Sequence, residues 1–277
     1  MRTTAESAQL ALLLEVAGTP KPGNVDRARE YPDLRFEHFL AGGVGAREGL
    51  ALAAEGERIG EAFRRAVAGM SQQSAGNTQF GAVLLLVPLV RAAAGGDPTG
   101  ARASGLVADA GVEDAADFYR AFEYVDVAVP DPPEEMGALD VRHGESAVPA
   151  VRERGLTFGD LMERSAPRDG VATELTGGYP RTLTAADHIE AGTGPVTDRA
   201  AAAYLEALAD SVDTFVVTQH DRETAEELTR RAGAARDGEE DPDALADELV
   251  ARGINPGTTA DIVAGGLFVA LERGLEV

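Results

Sequence analysis

The sequence predicts an all-α protein, a single multi-helix globular domain over residues 1–277. Three observations point there. Apolar residues recur at helical spacing along most of the chain. Hydrophobic residues make up 44% but aromatics only 5%, with no Trp, so Ala, Leu and Val must fill the core, which favours close-packed helices over a β-sandwich. Strands alternating with helices are not evident, which argues against a doubly wound α/β fold.

The elements follow in order. Thr4 caps a helix reaching about Ala17, with Leu10, Leu13, Leu14 and Ala17 on one face. Residues 39–69 read as one or two helices interrupted near Gly56. Residues 76–94 are apolar all round and read as a central, buried helix. Further helical stretches occupy 101–129, and the prolines at 130, 132 and 133 break the pattern into a surface loop over 130–135. Helices are expected at 146–154, 157–165, 180–191 and 198–209. Residues 212–218 are β-branched and fit a short strand or a buried helix equally well. An acidic loop over 236–241 leads to Pro242, well suited to the first position of a helix ending at Ala251. A last helix runs from about Pro256 to Glu272.

Charge narrows the partners. The formal net charge is −22, with the acid spread along the chain, which argues against nucleic acid or an anionic membrane as a partner. Lys21 is the only lysine, and every other basic side chain besides histidine is arginine. Acid-rich, lysine-poor composition is similar to that of proteins from salt-loving archaea. There is no Cys, so disulfides and thiolate metal sites are excluded. The start does not read as a signal peptide, and the longest apolar run, 80–90, is too short to span a bilayer, so a soluble cytoplasmic protein is expected. A homo-oligomer is compatible with the sequence.

Three segments carry possible chemistry. Thr19, Pro20, Lys21, Pro22, Gly23, Asn24, Val25 and Asp26 form a loop stiffened by prolines on both sides of Lys21. Such a loop can present a cation to phosphate and a carboxylate to Mg²⁺, with Gly23 letting a ligand approach; it also reads as a plain connector. Residues 74–81, with Asn77, Thr78 and Gly81, open the central helix and suit either an anion site or ordinary capping. Residues 255–261, with Gly257, Thr258 and Asp261, open the last helix in the same way. His38, His143, His188 and His220 lack zinc spacing, and there is no Walker A loop, dinucleotide fingerprint or nucleophile elbow.

Taken together, these segments resemble the triphosphoribosyl-dephospho-CoA synthase family. That family's pattern places a Glu before a Thr-Pro-Lys-Pro-Gly-x-Val-Asp motif, matched by Glu15 and residues 19–26. Asp33 with Phe36 and Phe39, then Asn77, Thr78 and Gly81, then Asp213 and Thr214, then residues 256–261 follow in the family's order. The stretch from about 95 to 200 contributes little. Arg29, Glu30, Tyr31 and Pro32 stand where the family often has a His, and Thr218 or Gln219 where it has a basic residue.

The resemblance implies an all-helical transferase that uses ATP with Mg²⁺, moves C1′ of the ATP ribose onto a ribose hydroxyl of dephospho-CoA or a related acceptor, and releases adenine. It implies Glu15, Asp26 and Asp33 as catalytic carboxylates. It implies Lys21, Gly23, Asn77, Thr78, Gly257 and Thr258 as nucleotide contacts, with Asp26 and Asp261 at the metal. Lys21 and Arg27 would offset the triphosphate's charge. A nucleotide hydrolase or kinase-like enzyme on the same fold, or a non-catalytic nucleotide-binding protein, are the competing readings.

Overall fold

The computed structural model describes residues 2–129, 132 and 134–277, and no strand occurs among them. The helices are α1 (Thr4–Ala17), α2 (Phe36–Gly45), α3 (Arg47–Ala54), α4 (Ile59–Met70), α5 (Phe80–Ala94), α6 (Gly100–Ala108), α7 (Val112–Ala121) and α8 (Val148–Glu153). They continue as α9 (Phe158–Ser165), α10 (Gly170–Gly177), α11 (Pro180–Ala191), α12 (Val196–Asp210), α13 (Thr214–Gln219), α14 (Arg222–Arg236), α15 (Pro242–Ala251) and α16 (Gly257–Glu272). Two 3₁₀ turns, Glu134–Leu139 and Val141–Ala147, precede α8.

Helices α5 and α16 lie at the centre. Both are apolar around the whole circumference, a pattern that requires enclosure on every side. Every residue from 82 to 90 in α5 and from 262 to 271 in α16 is buried. α16 packs on α1, α5, α11 and α12, while α3 and α4 pack on α5 and α7 packs on α4. One core cluster extends from Ala8 to Leu271 and is built mainly of Ala, Leu and Val. Its aromatic part is local: Phe63, Phe80, Phe118 and Phe122 stack with ring centroids 5.0 to 6.3 Å apart.

Several expectations are corrected in detail. Thr3, not Thr4, caps α1, through a reciprocal box in which Thr3 Oγ1 accepts from the Glu6 amide and Glu6 Oε2 accepts from the Thr3 amide. The buried face of α1 is Ser7, Ala8, Ala11, Leu12, Glu15 and Val16, whereas Leu10, Leu13, Leu14 and Ala17 are only partly covered. Small alanines let α1 lie close to its neighbours, and this turns Glu15 inward. Residues 39–69 hold parts of three helices rather than one or two, and the helical stretch beyond 101 ends at Ala121. Residues 212–218 contribute to a helix, not a strand. The loop expected over 130–135 falls partly on residues 130, 131 and 133, which lie outside the described residues. Helices α10 and α14 were not anticipated. The first has Gly at both ends, and the apolar stripe of the second is Ala225, Leu228, Ala232 and Ala235, too weak in contrast to register.

Candidate active site

The N-termini of α5, α10 and α16 open onto one cavity of about 500 Å³. Glu15, Asp169 and Asp261 bring carboxylates to its wall, and Arg164 and Arg168 bring cations. Phe80, Phe118, Tyr119 and Phe122 give it an aromatic side.

The helix starts are held by side chains. Asn77 Oδ1 accepts from the Phe80 amide at 3.2 Å and caps α5. Asp169 Oδ1 accepts from the Val171 and Ala172 amides at 2.8 and 3.3 Å and caps α10. Asp213, fully buried behind the wall, accepts from the Phe215 and Val216 amides with Oδ1, and from the Thr259 amide and hydroxyl, both at 2.8 Å, with Oδ2. One carboxylate thereby fixes the starts of α13 and α16. Thr214 Oγ1 accepts from the Gly170 amide at 2.9 Å and lies 3.1 Å from Thr258 Oγ1, which ties α10, α13 and α16 together.

Asp261 sits one turn into α16 and accepts a hydrogen bond from the Ala82 backbone. This close approach needs Gly81, since a Cβ there would stand 2.0 Å from Asp261 Oδ2. Burial, then the nearby charges of Glu15, Asp213 and Asp169, push the Asp261 carboxyl well above its ordinary value. Burial also pushes Glu15 up, with Lys21 pulling against it, and pushes Asp169 and Asp213 up against their amide donors. The cavity therefore concentrates carboxylates in surroundings that resist their charge.

The stiff loop lies beneath this cavity. Lys21 is 1% exposed; its Nζ is 2.5 Å from Glu15 Oε1 and 3.0 Å from Asn24 Oδ1, over the Tyr204 ring. It does not line the cavity, where the sequence suggested a phosphate contact; its ammonium is paired with Glu15 and Asn24. Asn24 Nδ2 donates to Asn255 Oδ1 at 2.8 Å, linking the loop to the lead-in of α16.

Asp26 is bonded within the loop likewise. Its Oδ1 accepts from the Ala28 and Arg29 amides at 2.7 and 2.8 Å; its Oδ2 accepts from Thr19 Oγ1 and the Lys21 amide at 2.8 and 3.1 Å. Both oxygens hold the loop, and Asp26 is not on the cavity wall. Gly23, at φ +79°, packs against Ile254, whose carbonyl oxygen would lie 2.3 Å from a Cβ; the close approach is to protein, not to nucleotide. Asp33 is exposed and off the wall, although its neighbour Leu34 lines it. Arg27 points outward toward Asp198 at 3.4 Å.

Of the residues singled out from sequence, Glu15, Asn77, Thr78, Gly257, Thr258 and Asp261 share the cavity wall. Sequence reasoning missed Asp169, Arg164 and Arg168, which lie in the stretch without motifs. The signal available was Asp169 directly before Gly170, a polar helix start like the other two.

Carboxylates and guanidinium groups around one cavity suit group transfer from a phosphorylated substrate, and the chain is a transferase. Residues 1–276 match the family model of CitG, ATP:dephospho-CoA triphosphoribosyl transferase, and the chain belongs to that family. Its reaction moves the triphosphoribosyl group of ATP to dephospho-CoA. The fold agrees with a solved structure from Archaeoglobus fulgidus, named as a candidate triphosphoribosyl-dephospho-CoA synthase. The two superpose with a TM-score of 0.70 at 26% identity, over 87% of this chain and 100% of that one. No curated protein matches the chain significantly. Among the described residues, no helix is long and apolar enough to cross a membrane.

Proposed function

We propose that the transfer takes place in the 500 Å³ cavity, with Glu15, Asp169 and Asp261 around the reacting carbon. The observation that carries this is the convergence of three raised carboxylates on the wall of a nucleotide-sized cavity that also carries arginines and the family motifs. A cavity of this size holds one nucleotide, by the roughly 300–1,000 Å³ common for small-molecule sites.

The chemistry balances without a further reactant. The bond from C1′ of the ATP ribose to adenine breaks, and its electron pair leaves with adenine. An acceptor hydroxyl oxygen bonds to C1′, and its proton ends on the adenine. Positive charge develops at the ribose as the bond breaks, and an adjacent carboxylate stabilises it or takes the hydroxyl proton. Glu15 suits this role because Lys21, itself anchored by Asn24, holds it in one orientation. Thr78, Gly257 and Thr258 line the same wall, where their polar groups can orient the nucleotide.

The carboxylates also fit a magnesium ion, because their mutual repulsion is what a divalent cation relieves. Among the described residues no three acidic or histidine side chains form a ready metal cage. Asp261 would hold the ion together with phosphate oxygens and water, and it would supply neutralisation of the triphosphate. A single domain working in a salt-rich cytoplasm is consistent with the continuous core and the charge of −22.

The test is incubation with ATP, Mg²⁺ and dephospho-CoA in concentrated KCl, followed by chromatography. Free adenine and a triphosphoribosylated acceptor are expected. Release of ADP or phosphate instead overturns the reading in favour of a hydrolase or kinase, and ATP binding without turnover overturns it in favour of a binding protein.

A further inference from the structure

A second cavity of about 530 Å³ adjoins the first. The two share Val129, Pro167, Arg168, Thr214 and Thr218 as a common wall, so they are lobes of one cleft. Their charges differ. The inner lobe carries four acids, Glu15, Asp140, Asp169 and Asp261, beside Arg164 and Arg168. In the outer lobe the charged lining groups among the described residues are Arg168 and Arg222 alone. In a chain with 47 acidic and 25 basic residues, a lobe lined only by cations runs against the background field.

Size reinforces the contrast. Each lobe has the volume of one small-molecule site, so two nucleotide substrates need both. The inner lobe contains the carboxylates that must flank the reacting carbon and thus takes the donor ribose. The outer lobe combines guanidinium groups with the Thr214 and Thr218 hydroxyls and with apolar Val129 and Val217. That mixture fits a diphosphate ester with an aliphatic arm. Among the described residues Arg168 makes no ion pair, and Arg222 is 74% exposed and paired with Glu226 at 2.7 Å, an exposed contact that a phosphate can displace.

We infer that the outer lobe is the acceptor subsite, in which Arg168 and Arg222 bind the diphosphate of dephospho-CoA and set its sugar hydroxyl toward the inner lobe. This rests on the proposed location of the transfer.

Calorimetry on the full chain at one fixed KCl concentration tests it, with dephospho-CoA and ATP titrated separately. Arg222, which lines the outer lobe and not the inner one, gives the discriminating variant: Arg222→Ala is expected to weaken dephospho-CoA binding about tenfold, the scale of one charge-assisted contact, while ATP binding changes less than about twofold. Arg222→Lys should retain part of the affinity, and Arg222→Ala should leave binding of adenosine, which lacks the diphosphate, unchanged. Circular dichroism checks that the exposed substitutions leave the fold intact. Weakening of ATP in place of dephospho-CoA, equal weakening of both, or no change in either overturns the assignment. Adenine release by the wild type is followed in parallel. If it is absent while dephospho-CoA binding still depends on Arg222, the catalytic reading fails and the subsite stands.

Discussion

Lys21 Nζ lies 2.5 Å from Glu15 Oε1, and of these two buried side chains Glu15 faces the cavity. The lysine therefore acts on the substrate only through the carboxylate it holds. Lys21→Met should leave an uncompensated buried acid and cost about 3–5 kcal/mol of stability. The double variant Glu15→Gln/Lys21→Met should recover most of that stability and none of the activity. Denaturant unfolding with an adenine-release assay reads both. A lysine that served mainly to bind phosphate would give the opposite pattern, a raised KM for ATP with stability unchanged.

Gly81→Ala separates catalysis from folding. The new Cβ would stand 2.0 Å from Asp261 Oδ2 and 3.3 Å from Val171 Cγ2, so the carboxylate must move off the Ala82 amide. Overpacking costs about 1–3 kcal/mol, and the helix preference of Ala returns at most about 1 kcal/mol. A small net loss of stability is expected beside a loss of activity of tenfold or more, on the order of one displaced hydrogen-bonded group. Equal retention of both would show that Asp261 need not occupy its present position.

The central helices and the order of the three motifs were legible because each motif carries its own local physics. Asn77 caps a helix, Gly257 opens one, and all-round apolarity encloses both. What each side chain touches was not legible. The lone lysine was conspicuous by composition, but its pairing depends on the loop folding back under the last turn of α1, which brings Glu15 and Asn24 to Nζ. Asp26 looked free because a carboxylate's donors are backbone amides, which every sequence has. Asp169 and Arg168 were hidden for another reason. They precede a short helix with no apolar period, and only the packing of α10 on α5 and α16 carries them to the cavity.

Asp213→Asn should be costly although the replacement removes a buried charge. Asp213 is acceptor only and receives four donors, two of them from Thr259. An amide that keeps Oδ1 toward Phe215 and Val216 turns an NH₂ onto the Thr259 amide. Two donors facing each other should cost about 1–3 kcal/mol and loosen the start of α16. Thermal unfolding checks the cost, and amide exchange at Thr259 locates it. An unchanged melting temperature would show that the site relaxes.

Asp261→Asn should behave oppositely. The Asp261 carboxyl is pushed well above its ordinary value of 3.8, so the folded state binds its proton more tightly than the unfolded state. Stability from this group is therefore highest at acid pH and falls as pH rises from the unfolded value toward the folded one. Asn can accept the Ala82 amide and carries no charge. The variant should melt higher than wild type at neutral pH, the gap should close below about pH 4, where both states are protonated, and adenine release should be lost. A gap independent of pH would mean that the gain is not electrostatic. In the wild type, activity that needs these carboxylates ionised should fall on acidification at a pH above the ordinary carboxylate range.

Salt should stabilise the protein, and the sign follows from a competition. Screening weakens surface ion pairs such as Arg230–Glu227 and Arg222–Glu226, but exposed pairs contribute only about 0–1 kcal/mol each. Screening also weakens repulsion within a surplus of 22 negative charges spread over the chain. The surplus acts over many pairs at distances near the Debye length, about 10 Å at 0.1 M and about 3 Å at 1 M, so repulsion loses more than attraction does. The melting temperature should rise from 0.1 to 1 M KCl and rise further, at fixed salt, when exposed acidic residues at helix C-termini away from the cavity wall, such as Glu55 and Glu153, are changed to Lys. Differential scanning fluorimetry over a KCl series measures both. A melting temperature that falls with KCl would show that the arginine ion pairs, and not the excess acid, dominate the surface energetics.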